Sequence, residues 1–241
     1  MEIDFKNAIK ILTEKNVDIE KSMFGGCPFV DKGFEWPIHN GVPLNFLAQI
    51  NLSELNSICS FDFLPQEGLL LFFYDNDRQP WGDFDDFGAW RVLYQKKPVI
   101  HVQCPYGIYE MGDLKNKGIS FIKEETYQNP DLLFLNESVL TEYYEKYYSK
   151  NEGHIIGGYS YDIQSSSKED AFMVQHRHYH NNNFNNIPAD DFKKYTLLFQ
   201  MDSDYNINFQ IGDMGTLYFY GDMDEMKKGD FSNIWITSQC A

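Results

Sequence analysis

Three histidines at alternating positions, His176, His178 and His180, are the most conspicuous candidates for chemistry in this sequence. On an extended strand, side chains two residues apart point to the same side, so three imidazoles could converge on one transition-metal ion. Five asparagines follow between positions 181 and 186, a composition typical of a solvated loop that does not hold fixed ligand geometry. Two interpretations are therefore open: a metal site formed by the three histidines, or an extended loop, 164–186, that holds no cofactor.

Acidic residues supply a second candidate, because Asp202, Asp204 and Asp213 have a spacing similar to that of a calcium-binding loop. Ile207 stands where such a loop needs glycine. The alternation of polar and apolar residues from Asn206 to Ile211 instead predicts a half-buried strand with Ile207 facing the core. Calcium binding is the less favoured interpretation, and Asp213 is kept as a candidate binding residue.

Nucleophilic catalysis finds little support, since the sequence contains no G-x-S-x-G motif, no P-loop and no dinucleotide-binding glycine fingerprint. The cysteines are not closely spaced, which predicts buried thiols in a reducing compartment; they are Cys27, Cys59, Cys104 and Cys240. Cys27 activated by His39 or His101 is the catalytic alternative. We assign no catalytic residue, and a non-enzymatic protein is favoured.

Aromatic and arginine residues in loops indicate a recognition surface, because tryptophan and arginine dominate binding hot spots where they are exposed. Trp36, Trp81 and Arg91 are the candidates, and Trp81 lies in a loop between Pro80 and Gly82. The alternative is that these aromatic side chains fold down onto the core.

Charge and composition restrict the partners of the chain. The net charge of the 241 residues is −16, which disfavours nucleic acid and anionic membranes and is compatible with a cationic protein partner or with simple solubility. No signal peptide is visible at the N-terminus, and the longest apolar run, Leu69–Tyr74, is too short to cross a membrane. A cytoplasmic location is expected, and nothing in the sequence indicates an oligomeric state.

Periodicity predicts an α+β fold of mostly antiparallel sheet with a few helices. Helical spacing of apolar residues predicts an amphipathic helix from Phe5 to Asn16 and a second helix over 136–150. Short apolar runs bounded by glycine and proline predict strands, among them Leu44–Ile50, Leu69–Tyr74, Tyr195–Met201 and Thr216–Tyr220.

Two of these strand pairs resemble each other. In both, a glutamine (Gln49 or Gln200) sits late in an apolar strand, and a glycine then introduces a second apolar strand. Paired glycines lie upstream of each, at 25–26 and 157–158. We therefore predict one domain, 1–241, whose halves, approximately 20–122 and 153–241, are a diverged repeat joined by a helical segment near 131–150. Gln49 and Gln200 either bond nearby backbone or line a groove between the halves.

The motifs LNFLAQIN (44–51), LPQEG (64–68) and QPWG (79–82), with similar matches in the C-terminal half, resemble the YwqG-like bacterial proteins of unknown function. The resemblance implies a compact α+β fold, a bacterial cytoplasmic setting and, through an association with toxin loci, an immunity-type or regulatory role. The leading hypothesis is therefore a non-enzymatic binding protein. The alternatives are an enzyme or small-molecule binder with a cleft between the halves, and metal binding by the three histidines.

Overall fold

The computed structural model describes residues 3–105, 114–133, 136–180 and 189–240, and it is mostly antiparallel β-structure. The strands in these ranges are β1 (Phe5–Glu14), β2 (Met23–Phe24), β3 (Phe29–Val30), β4 (Ile38–His39), β5 (Val42–Pro43), β6 (Asn45–Asn51), β7 (Leu69–Tyr74), β8 (Trp90–Gln95), β9 (Ile100–His101), β10 (Lys117–Tyr127), β11 (Ile155–Ile156), β12 (Tyr195–Asp202), β13 (Thr216–Asp222) and β14 (Trp235–Gln239). The α-helices there are α1 (Leu52–Ile58), α2 (Glu137–Lys146), α3 (Ser167–His180), α4 (Ala189–Lys194) and α5 (Met223–Lys227).

One ten-stranded antiparallel sheet organises the molecule, in the order β14-β13-β12-β11-β1-β10-β2-β6-β7-β8. Its centre is the long ladder of β1 with β10, which runs from Phe5 opposite Tyr127 to Glu14 opposite Gly118. The prediction of a helix over Phe5–Asn16 is therefore wrong. Ten cross-strand pairs outweigh a helical spacing of apolar residues, and two of those residues, Phe5 and Leu12, are exposed on the strand.

The sheet curls so that its two ends meet. Phe72 on β7 packs against Phe199 and Phe219. Its ring centroid lies 4.8 Å from that of Phe199 and 5.2 Å from that of Phe219. At the edges, Trp90 Nε1 donates to the carbonyl of Ile234 at 2.7 Å, and Trp235 Nε1 donates to the carbonyl of Gly82 at 2.8 Å. These contacts bury both indoles and give one core shared by the two ends of the sheet.

Helices occupy the connections between strands. Asn51 and Asp222 cap α1 and α5 through side-chain oxygens that accept backbone N–H groups of the first turn. The predicted extended loop is wrong over Ser167–His180, because that segment forms α3, which packs on β12, β13 and β14. Residues 164–166 of that predicted loop are in neither a helix nor a strand, as predicted, and 181–186 lie outside the described residues.

A disulfide joins Cys27 to Cys104, whose Cα atoms are 5.5 Å apart. The expectation of thiols is wrong for this pair, because strands β3 and β9 pair and bring the two distant segments together. Cys59 and Cys240 are free and half-buried. Cys27 and Cys104 therefore no longer support the expectation of a reducing compartment, which rested on unpaired cysteines.

No helix in the described ranges has both the length and the apolar character that a membrane crossing requires.

Candidate functional site

A concave pocket lies where β1, the segment after β11, and the start of α3 meet. We call it the lysine pocket and define it by Lys6, Tyr159, Asp162, Lys168, Phe192 and Tyr220. Its volume is about 170 Å³. Lys6 comes from the central strand, whereas Lys168 comes from the first turn of α3, so the pocket exists only because the fold brings these two elements together.

Each lysine of the pocket lies over an aromatic ring. Lys6 Nζ is 4.2 Å from the centroid of the Tyr159 ring, and Lys168 Nζ is 4.2 Å from that of Phe192. Within the described ranges, neither ammonium group forms an ion pair with a carboxylate. The ammonium groups of the pocket therefore lie over ring faces and form no ion pair with a described carboxylate.

Two carboxylates at the pocket, Asp162 and Asp4, are engaged by other donors, and Glu169 also lines the pocket. Asp162 accepts from the hydroxyls of Ser160 and Ser167, from the Ser167 backbone N–H and, more weakly, from the amide of Asn129 at 3.3 Å. Asp4 accepts from the hydroxyl of Tyr159. These bonds occupy both acids, and neither forms an ion pair with a lysine of the pocket, although Asp4 still attracts the charge of Lys6.

Both lysines have lowered pKa values. Burial lowers the pKa of Lys168 from its usual value near 10.5 to about 8; the charge of Lys6 adds to this effect, and Glu169 opposes it. Burial also lowers the pKa of Lys6, against the attraction of Asp4. Lys6 is exposed on β1 whereas Lys168 is half-buried, and the lowering of the pKa is larger at Lys168.

Hydroxyl groups and a helix end complete the pocket. The Ser167 hydroxyl is 2.7 Å from that of Tyr220, whose pKa burial raises. The first residues of α3 line the same pocket, and the start of a helix adds partial positive charge, although the N–H groups of Ser167, Glu169 and Asp170 are already hydrogen-bonded. The arrangement suits an anion better than a cation.

The paired glutamines bond backbone in closely similar ways. Gln49 Oε1 accepts from the N–H of Phe29 at 2.8 Å, and its Nε2 donates to the carbonyls of Ile19 and Lys21. Gln200 Oε1 accepts from the N–H of Tyr161 at 2.8 Å, and its Nε2 donates to the carbonyls of Asn151 and Gly153. Both side chains are fully buried, so neither reaches a surface where a ligand could touch it.

Four other sequence candidates lie outside the lysine pocket. Trp36 is half-buried, and its Nε1 donates to the carbonyl of Leu44. Arg91 donates to the carbonyl of Trp90 and lies over Phe87. Trp81 is 45% exposed, and Asp213 is exposed on the turn before β13. The structure does not gather these residues into one site.

The histidine cluster lies at the C-terminal end of α3. On a helix, His176 and His180 share a face and His178 does not, so the alternation that suggested three converging imidazoles no longer applies. The ring of His176 stacks on Phe172 at 5.8 Å. The side chains of His178 and His180 are outside the described ones, and the described residues contain no group of three metal-binding side chains.

Sequence reasoning missed the lysine pocket. Neither Lys6 nor Lys168 belongs to a motif, and they lie on an element predicted as a helix and on one predicted as a loop. The available signal is weak: two lysines flanked by aromatic residues in an acidic chain.

A comparison with models of protein families identifies the family of the chain. Residues 22–240 match the model of a domain of unknown function, DUF1963, a range that contains Lys168 and begins after Lys6. No curated protein matches the chain. The match covers most of the sequence, and the chain therefore belongs to the DUF1963 family.

Proposed function

We propose that this protein binds a small organic anion in the lysine pocket. The observation that carries the proposal is the convergence of two ammonium groups, unpaired with any described carboxylate, in one concave pocket of a chain whose net charge is −16. Asp4 and Glu169 attract these charges, but neither acid forms an ion pair with a lysine of the pocket. An anionic ligand supplies the missing partner.

Pocket size favours a small ligand. The volume of about 170 Å³ is close to that of an engineered cavity of about 150 Å³ that holds one benzene molecule. A ligand with about six to ten non-hydrogen atoms fits this space, whereas drug-sized molecules occupy sites of about 300 Å³ or more. A short-chain or aromatic carboxylic acid is therefore a better candidate than a nucleotide.

Calorimetric titration with a panel of small carboxylates and inorganic phosphate tests the proposal. We expect Lys168→Met to weaken binding by about tenfold or more, the usual loss when a charged hydrogen bond is removed. Lys193→Met is the control, because Lys193 is highly exposed and lies outside the pocket. Failure of every anion to bind, or equal binding by wild type and Lys168→Met, contradicts the proposal.

A cationic protein partner is a second candidate function, and it is favoured by the loop before β8. There Trp81, Phe84 and Phe87 remain more than a third exposed, beside the carboxylates of Asp83 and Asp85. Aromatic anchors with acidic neighbours suit a basic surface. An immunity-type or regulatory role would act here. Co-purification with products of neighbouring genes tests it: a stoichiometric, salt-sensitive complex weakened by Trp81→Ala supports it, and no complex opposes it.

We also infer that the two ends of the sheet descend from a duplicated unit, and that the chain is a YwqG-like member of its family. The palindromic strand order and the equivalent bonds of Gln49 and Gln200 support the duplication. Register adds support, since Gln49 lies opposite Met23 as Gln200 lies opposite Ile155. After the paired glycines, the first unit has the disulfide-bonded Cys27 and the second has Tyr159. Tyr159 and Lys168 of the lysine pocket therefore belong to the second unit, whereas Lys6 comes from β1, outside both units.

A further inference from the structure

The amine of Lys168 has the surroundings of a nucleophile as well as those of an anion receptor. It is half-buried, it lies over the ring of Phe192, and the positive charge of Lys6 disfavours its protonation. Lysines become nucleophilic when they are desolvated or placed beside another cationic group. Both conditions are met in one pocket.

Protonation state supports this assignment. With a pKa of about 8, near half of the Lys168 side chains are neutral at pH 8, whereas an ordinary exposed lysine is neutral in less than about 1% of molecules at that pH. The other charged groups around it are Lys6 from β1, Glu169 from its own helix, and Asp162, whose carboxylate is held by serine donors. None of the described acids forms an ion pair that would keep the amine protonated.

We propose that the anion bound in the lysine pocket is an oxo acid, and that its carbonyl carbon condenses with the ε-amine of Lys168 to form an imine while the ammonium of Lys6 holds its carboxylate. This inference rests on the proposed function. It adds a substrate class, small 2-oxo acids or aldehyde acids, and a covalent step.

The step balances without an oxidant or reductant. The neutral amine of Lys168 attacks the carbonyl carbon and forms a C–N bond, and one amine proton passes to the carbonyl oxygen. That oxygen takes a second proton from solvent and leaves as water, and the remaining C=N bond carries one proton on nitrogen. Hydrolysis reverses the same sequence.

Reductive trapping tests the inference on the full chain. Incubation with pyruvate and sodium cyanoborohydride, followed by peptide mapping, is expected to modify Lys168 at least about tenfold more than the exposed Lys193. Replacement of Lys6 by Met is expected to reduce trapping of pyruvate more than trapping of propanal, because only pyruvate has a carboxylate. In the wild type at a saturating concentration of pyruvate, the trapping rate should rise as pH passes through about 8, a readout that needs no variant to fold.

The outcomes separate the two proposals. Calorimetric binding of pyruvate with no adduct on Lys168 overturns the imine and leaves anion binding standing. Absence of both binding and adduct for pyruvate and for glyoxylate overturns the imine and counts against the anion site as well. Labelling of Lys168 no greater than that of surface lysines also overturns the imine.

Discussion

At the scale of single residues, Lys6 and Lys168 show that net charge does not determine the local field. The chain has 16 more acidic than basic charges, yet Asp4 and Asp162 are bound to tyrosine and serine hydroxyls, and Glu169 forms no ion pair with either lysine. Because charge interactions weaken steeply through solvent, a local arrangement of two ammonium groups outweighs distant surface carboxylates. Anion binding is therefore compatible with an acidic protein.

The affinity of the lysine pocket should depend on pH in one direction. Since the pKa of Lys168 is lowered to about 8, its ammonium is nearly complete at pH 7 and is lost as the pH rises through 8. We expect carboxylate affinity to be steady near neutral pH and to fall above about pH 8. Calorimetry across this window measures the fall.

A matched variant checks the origin of that pH dependence. Arginine stays protonated in this range, so Lys168→Arg should bind the same carboxylate without the decline near pH 8. A decline that persists unchanged in Lys168→Arg assigns it to another group, and the prediction is then wrong.

At the scale of elements, sequence reasoning succeeded where a short apolar run is bounded by turn residues. The strands β6, β7, β12 and β13 and the helix α2 were predicted within a few residues, because glycine, proline and capping side chains mark their ends. It failed at β1, where pairing with β10 decides the conformation and no local signal reports it. At 206–211 the apolar side chains are buried as predicted, but the backbone turns at Asn208, which has a positive φ, and forms only one bridge.

These failures explain why the candidate site could not be predicted from the sequence. The pocket joins an amine on β1 to an amine on α3, the two elements whose conformation depends on partners distant in sequence. By contrast, the prominent candidates of the sequence were residues of conspicuous local motifs. Gln49, Gln200 and Trp36 are chiefly engaged by neighbouring backbone.

Replacement of either paired glutamine by leucine should destabilise the protein strongly. Each change leaves one backbone N–H and two carbonyls without a side-chain partner in a buried setting. An unsatisfied buried group costs about 1–3 kcal/mol, so we expect a loss of about 3 kcal/mol or more in the free energy of unfolding. Urea denaturation measures it. Gln66→Leu, at an exposed position, should change stability by less than about 0.5 kcal/mol; equal effects at all three positions would refute the reasoning.

The disulfide between Cys27 and Cys104 should stabilise the folded protein. It links residues 77 apart in sequence, and cross-links that close long loops typically add about 2–4 kcal/mol. We expect the double change Cys27→Ala with Cys104→Ala to lower the free energy of unfolding by that amount under non-reducing conditions. Cys59→Ala serves as the control, because Cys59 is a free thiol. If reductant leaves the stability of the wild type unchanged, the bond contributes nothing in solution.

At the scale of the whole molecule, the two ends of the sheet depend on each other. The chain between them can be cut after residue 135, which leaves β1–β10 in one fragment and β11–β14 in the other. The cut exposes Phe199 and Phe219 in the second fragment and removes their contact with Phe72. It also separates the buried indoles of Trp90 and Trp235, whose rings lie 5.0 Å apart.

We therefore expect neither fragment, 1–135 or 136–241, to unfold cooperatively by itself, and we expect the mixture to regain cooperative unfolding. Exposure of several large aromatic side chains removes about 1.5–3 kcal/mol for each one, which is a large part of the stability of an ordinary domain. Binding supplies a second readout, because Lys6 lies on the first fragment and Lys168 on the second. Carboxylate binding should return only in the mixture. Cooperative unfolding of 136–241 alone would contradict the shared core, whereas a folded mixture that binds no carboxylate would contradict the lysine pocket and leave the shared core intact.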